Sequence, residues 1–252
     1  MFGGVFMKTS KFLIFVVFTT VFVIFAYQIV TLGMIFYQNH SAMKNKELQV
    51  LSPNEEGVVI RNGLPDSGQI TFSCNVDWGE EVIPELLRIF KENQISVTFF
   101  VSGRWAENNP ELLKEMYAAG HEIQSHGYSH KLCSQNSVET IKEEILKTEK
   151  VIIDILGVKT NVFAPPSGNY DETTVELCRS LGYQLALWNV DTIDWREGST
   201  AEAIKSRVLK KHLNGAIVLM HPKEETVKAL PDLISEIRAQ DLAMVPLYRL
   251  SH

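Results

Sequence analysis

The sequence predicts an α/β fold, a distorted (β/α) barrel of repeated βαβ units, preceded by one N-terminal transmembrane helix. Two observations carry the barrel: short apolar runs alternate with amphipathic stretches from Gln69 to Leu247, and glycines close several of the amphipathic stretches. A third carries the helix, because Phe12 to Tyr37 is uncharged over 26 residues. Crossing a bilayer takes about 20 apolar residues.

The apolar run is too long for a cleaved leader, and bulky Ile29, Leu32, Met34, Ile35 and Phe36 continue to its end. An uncleaved anchor is therefore expected. Lys8 and Lys11 precede it, so the positive-inside tendency leaves a short cytoplasmic segment at 1–11, a membrane span at 12–37 and everything later on the outer side. Residues 38–68 are polar and carry Pro53, Gly57, Gly63, Pro65 and Gly68, which reads as a stalk. The folded domain is placed at 69–252.

Within it the expected order begins with strand Ile70 to Val76, helix Val82 to Asn93, strand Val97 to Val101 and helix Pro110 to Ala119. A helix from Ser137 to Leu156, a run at Asn161 to Phe163, a helix at Thr173 to Leu181 and a run at Leu185 to Val190 follow. Helix Thr200 to His212, strand Ala216 to Met220, helix Thr226 to Ala239 and the run Ala243 to Leu247 complete it. Gly120, Gly157 and Gly182 read as C-terminal helix stops. In parallel barrels reactive groups belong at the C-terminal ends of strands.

The net charge of −6 and the lack of Lys/Arg clusters in the soluble part argue against nucleic acid and favour a neutral, sugar-like ligand. Cys74, Cys133 and Cys178 are too few for a disulfide framework and show no zinc spacing. Oligomeric state is not legible.

Four polar groupings fall at strand ends. His126 and His130 stand four apart, which on a helical turn puts both imidazoles on one face, within reach of one ion. Asn75 and Asp77 flank Val76, so in extended backbone both face one side; Asp77 reads either as an anionic metal ligand or as a cap for a helix beginning near Glu80. Asn75 has no basicity. His221 ends the apolar run Ala216 to Met220, where a titratable imidazole can donate a proton. Asp194, beside Asp191, offers a carboxylate to orient an imidazole, and Trp195 either walls a sugar-sized groove or packs the core.

These residues resemble the polysaccharide deacetylase family, the NodB homology or carbohydrate esterase family 4 domain, from about Gln69 to Leu247. Ser73 to Gly79 lies at the family's Thr-Phe-Asp-Asp-Gly strand end, and His126 to His130 matches His-Ser/Thr-x-x-His with Gly127 at the second place. Phe163-Ala164-Pro165-Pro166-Ser167-Gly168 is similar to Arg-Pro-Pro-Tyr-Gly, Asp194-Trp195 to the fourth motif and Leu219-Met220-His221 to the fifth. The variant Trp78-Gly79-Glu80-Glu81 resembles a subgroup of spore-forming Gram-positive bacteria.

The resemblance implies one divalent metal, zinc or else cobalt, nickel or manganese, on Asp77, His126 and His130, activating water toward an N-acetyl group of a cell-wall glycan such as peptidoglycan. It implies that His221 protonates the leaving amine, that Asp194 holds that imidazole, and that Trp195, Ser167 and Pro166 face the substrate. Asn75 falls where the family has its aspartate base, and Ala164 where it has the arginine that steadies that base. The expectation is an outward-facing N-deacetylase of weak or atypical activity, or a catalytically silent glycan-binding surface protein of the same fold.

Overall fold

The computed structural model describes residues 55–252. The expected span Phe12 to Tyr37 lies outside the described residues, and among those described no helix is long and apolar enough to cross a membrane.

Among the described residues nine strands make one curled parallel sheet, a half-barrel. They are β1 (Val59–Ile60), β2 (Gln69–Val76), β3 (Thr98–Val101), β4 (Glu122–Ser125), β5 (Val162–Phe163), β6 (Gln184–Ala186), β7 (Val190–Asp191), β8 (Ile217–Met220) and β9 (Ala243–Met244). The order across the sheet is β1-β6-β5-β4-β3-β2-β8-β7, with β9 added beside β2, and every pairing is parallel. Helices α1 (Ile83–Glu92), α2 (Gly103–Asn108), α3 (Pro110–Ala118), α4 (Val138–Leu156), α5 (Glu172–Leu181), α6 (Ala201–Leu209) and α7 (Glu224–Arg238) connect them.

Strand alternation sorts the side chains. Along β2, Ile70, Phe72, Cys74 and Val76 join the large core shared with the helices, together with Phe99 and Val101 of β3 and Val218 and Met220 of β8. The intervening Thr71, Ser73 and Asn75 are buried on the opposite side. There Phe100, Val162, Ala164 and Ile217 form a smaller cluster closed by Leu247 and Leu250. Strands β2, β3 and β8 therefore spend one face on helix packing and send the other toward the barrel interior.

The run Leu185 to Val190 is not one strand. Its first part pairs in β6 with β5 and β1, and its end pairs in β7 with β8 at the other edge of the sheet. Leu187 to Asn189 thus bridge the two sides, with Leu187 N–H donating to the Ile60 carbonyl and Asn189 N–H to that of Ile217. Strand β4 and helix α2 were not read from the sequence, and β1, within the segment read as stalk, brings Val58, Val59 and Ile60 to 5–6% exposure.

Helix punctuation follows local chemistry. Ser137 caps α4 by accepting from Thr140 N–H at 3.2 Å, and Gly157 ends it at φ 72°. Asp171 caps α5 through a capping box with Thr174.

His121 is wedged edge-on against Phe90 and Phe99 and accepts from Val97 N–H at 3.2 Å. Burial pushes its pKa from 6.5 down to about 4. Above pH 6.5 the ring is neutral folded or unfolded and contributes nothing; below it the unfolded chain takes a proton that the fold refuses. Stability should therefore fall as pH drops toward 4, at up to about 1.4 kcal/mol per pH unit from this residue. In urea unfolding at pH 7.5 and 5.0, His121→Asn, which keeps an acceptor for Val97, should flatten the slope; an unchanged slope would assign the loss elsewhere.

Candidate active site

A cavity of about 530 Å³ opens at the C-terminal ends of the strands and is lined by Asn75, Asp77, Trp78, His130, Ser167, Trp188, Asp191, Trp195, Leu219 and His221. Residues from five separated stretches meet there because a parallel sheet delivers every strand end to the same rim.

Asn75 comes from inward-facing β2 and is 5% exposed, and its Oδ1 is buried without a hydrogen-bond partner. Asp77 lies in the turn that follows, while Val76 between them packs into the core. The turn needs Gly79, whose φ is +86° and whose Cβ would stand 2.6 Å from the Pro222 carbonyl. That close approach seats the Asp77 turn against the segment carrying His221. Helix α1 begins at Ile83 with Val82 at its N-cap and no side-chain cap bond, so Asp77 is not its cap. Its carboxylate instead meets the Arg104 guanidinium at 3.3 Å.

The two histidines come together by another route than the helical turn read from the sequence. His126 follows β4, and the chain reverses through Gly127 at φ 78° and His130 at φ 59°, an irregular loop in which helical periodicity plays no part. The rings end 5.1 Å apart between centroids, at 69°. His126 is 2% exposed, and its Nδ1 lies 2.7 Å from the Ala164 carbonyl. A carbonyl only accepts, so Nδ1 carries the proton and Nε2 keeps its lone pair. Burial, reinforced by His130, pushes the His126 pKa down to about 3, and the ring is neutral.

His221 closes the opposite side. Its Nδ1 meets Asp194 Oδ1 at 2.7 Å, its N–H donates to Asp194 Oδ2 at 2.7 Å, and Thr226 Oγ1 donates to the same oxygen at 2.7 Å. Asp194 is 3% exposed. Burial alone would raise its pKa, but the hydrogen bonds and charge of His221 and the Thr226 hydroxyl outweigh it and hold the carboxyl below the usual range. Its loop is clamped by Arg207, whose Nη1 donates to the Thr192 carbonyl at 2.8 Å. Trp78 stacks on His221 at 6.0 Å and 11°, with Lys223 Nζ 4.6 Å above the indole.

Trp195 and Ser167 stand exposed at the rim, and Pro166 is buried and does not line the cavity. Trp188 lines it too and was not singled out from the sequence, where it sits inside an apolar run. Arg104, which pairs with Asp77, is given no role by the sequence either.

A divalent ion has a partial seat here. The neutral, carbonyl-anchored His126 and the adjacent His130 are suitable donors, whereas Asp77 is drawn to Arg104 and would have to exchange that partner for the ion. Among the described residues no three His, Cys, Asp or Glu side chains are gathered within reach of one ion.

The curled parallel sheet thus carries a polar, tryptophan-walled cavity with a histidine pair on one side and a carboxylate-held histidine on the other. The chain belongs to the polysaccharide deacetylase family, whose model matches residues 66–186. It is 37% identical to YlxY of Bacillus subtilis over 185 residues, 73% of this chain and 58% of that protein, so it spans less than two thirds of that relative. A peptidoglycan-N-acetylglucosamine deacetylase of Bacillus cereus is 30% identical over 204 residues, 79% of this chain and 90% of that one. The crystal structure of BA3943, a CE4 family pseudoenzyme from Bacillus anthracis, superposes with a TM-score of 0.75 at 32% identity, covering 79% of this chain and 69% of that one. A BA3943 mutant described as having restored enzymatic activity superposes with the same TM-score at 31% identity, covering 79% of this chain and 72% of that one.

Proposed function

We propose that this chain binds an N-acetylated cell-wall glycan, peptidoglycan N-acetylglucosamine or N-acetylmuramic acid, and removes its acetyl groups slowly. The observation that carries the reading is Asn75: an amide stands on the cavity where the family resemblance has a carboxylate base. His126, His130 and, once released from Arg104, Asp77 would hold the divalent ion, zinc or cobalt, nickel or manganese. When bound, that ion would supply Lewis-acid polarisation of the carbonyl and acidification of water.

The chain's own groups do the rest. Trp195 and Trp188 would offer indole surface to a sugar ring, and the backbone turn at Ser167 would face the carbonyl oxygen. Water adds to the acetyl carbon and gives up a proton to solvent, the C–N bond of the adduct breaks, and His221, protonated on Nε2 and held at Nδ1 by Asp194, gives its proton to the departing amine. Acetate and a free amino sugar leave. Asn75 cannot take the proton from water, which leaves this step slow. With Phe12 to Tyr37 as an anchor, the same reading puts the domain outside the cell membrane, facing the wall.

A second reading, a silent glycan-binding surface protein, is favoured by the pairing of Asp77 with Arg104 and by the neutral Ala164. Acetate release from N-acetylglucosamine oligomers and purified peptidoglycan, with bound metal counted, separates the two. Slow release abolished by His221→Ala supports the enzyme; glycan binding with no release supports the silent protein. For the metal, His126→Ala is expected to lower bound ion below one per chain, and an unchanged content would remove His126 from the ligand set.

A further inference from the structure

A buried acid that takes no part in the proposed chemistry grips the histidine loop from behind. Glu144, early in α4, is 5% exposed, and its two oxygens are spent on that loop. Oε2 accepts from Ser129 N–H at 2.6 Å, Oε1 accepts from the Ser129 hydroxyl at 2.7 Å, and Lys131 Nζ lies 3.5 Å from Oε1. Charge-assisted bonds of this length are the strong kind.

Their placement matters because Ser129 immediately precedes His130, a non-glycine residue in left-handed backbone at φ 59°. Such a conformation persists only where the surroundings over-determine it. Glu144 fixes both the peptide N–H and the hydroxyl of the preceding residue. The other side of the loop is held by Gly103 N–H and Arg104 N–H, which donate to the carbonyls of Gly127 and Tyr128 at 2.9 and 3.0 Å. Gly127 completes the fit: its φ is +78°, and a Cβ there would lie 3.4 Å from Glu144 Oε2.

Nothing in α4 itself calls for a carboxylate at this position. Its buried face otherwise holds Ile141, Ile145, Thr148, Val151 and Ile152. An apolar residue at 144 would pack that face and avoid the desolvation that burying an acid costs.

We propose that Glu144 is a positioning residue that, through Ser129, fixes the direction in which His130 presents its imidazole to His126, and so sets the affinity of the pair for a divalent ion. This rests on reading the pair as a metal site. The test uses the full chain in detergent, with two readouts: ¹⁵N–¹H ring signals of the histidines in the metal-free protein, and zinc affinity by chelator competition.

Glu144→Gln keeps the shape but loses the charge and points an amide N–H₂ at one of the Ser129 donors. It should shift and broaden the His130 ring signals, leave those of His121 and His221 in place, and weaken zinc binding about 10- to 100-fold, the usual effect of losing a ligand's outer support. Ser129→Ala removes the hydroxyl bond alone and should give a smaller loss of the same kind.

Unmoved His130 signals with zinc affinity within twofold would overturn the proposal, even if the melting temperature fell, because the carboxylate would then only brace the fold. Should Glu144→Gln fail to fold, Ser129→Ala is judged by the same criteria. If the unaltered chain takes no zinc, the metal reading fails, while the ring signals still decide whether Glu144 positions His130.

Discussion

Asn75→Asp combined with Ala164→Arg is expected to raise acetate release by about 10²- to 10⁴-fold, the range a positioned general base supplies. Asn75 sits at 5% exposure on the inward face of β2, so a carboxylate placed there alone would lose most of its hydration. Desolvation raises a carboxyl pKa and opposes the ionised form that a base needs. Ala164, 3% exposed, belongs to the barrel-interior cluster and follows β5 on the same rim, where its carbonyl already anchors His126. An arginine at 164 would supply the counter-charge that lowers the new carboxyl's pKa.

The single variant should therefore gain less than the pair. Asn75→Asp alone is also expected to lose stability near neutral pH, and Ala164→Arg to recover part of it. Acetate release measured alongside glycan and zinc binding decides: a double variant that binds both and stays inert would show that the missing base is not what limits this site, and would favour the silent reading.

The second large effect concerns Asp194. Asp194→Ala should destabilise the domain by about 3–5 kcal/mol, because it strips one partner from a buried charged network and leaves the others unsatisfied. His221 N–H, His221 Nδ1–H and the Thr226 hydroxyl all donate to this carboxylate at 2.7 Å. Asp194→Asn should cost less, since the amide oxygen keeps some of these bonds. Both should reduce any turnover, because the carboxylate fixes the tautomer that leaves Nε2 facing the substrate.

Asp194 also gives the network a pH signature. Its folded pKa lies below the unfolded value, so its contribution is fully present above the unfolded pKa and is lost as pH falls through the folded one. Urea unfolding of the parent and of Asp194→Asn should show a gap at pH 7 that narrows as pH falls below the ordinary carboxylate range. A destabilisation that does not shrink there would mean that shape, and not charge, holds His221.

Much of the scaffold is written in the order of apolar runs. Strands β2, β3 and β8 carry continuous or alternating hydrophobic residues long enough to be seen alone, and helices α4 and α5 announce ends through Ser137, Gly157 and Gly182. Short or mixed elements escaped. Strand β4, Glu-Ile-Gln-Ser, has a single apolar side chain, and its buried Gln124 accepts from the backbone N–H groups of Asn161 and Val162, a polar role that only its neighbours reveal. Helix α2 opens on Gly103, which a residue-by-residue reading takes for a turn.

What the sequence determined by itself was the parallel α/β plan and the chemical types at the strand ends, because strand period and parallel connection leave few places for Asn75, Asp77, Asp194 and His221 to go. Which of them meet, and who restrains them, was decided only in three dimensions. The 126–130 loop, the Asp77–Arg104 pair and the Glu144 grip join residues 15 to 27 positions apart or reverse the chain through left-handed backbone. No local periodicity encodes such contacts, since they depend on how the sheet curls and on which helix it brings against each rim.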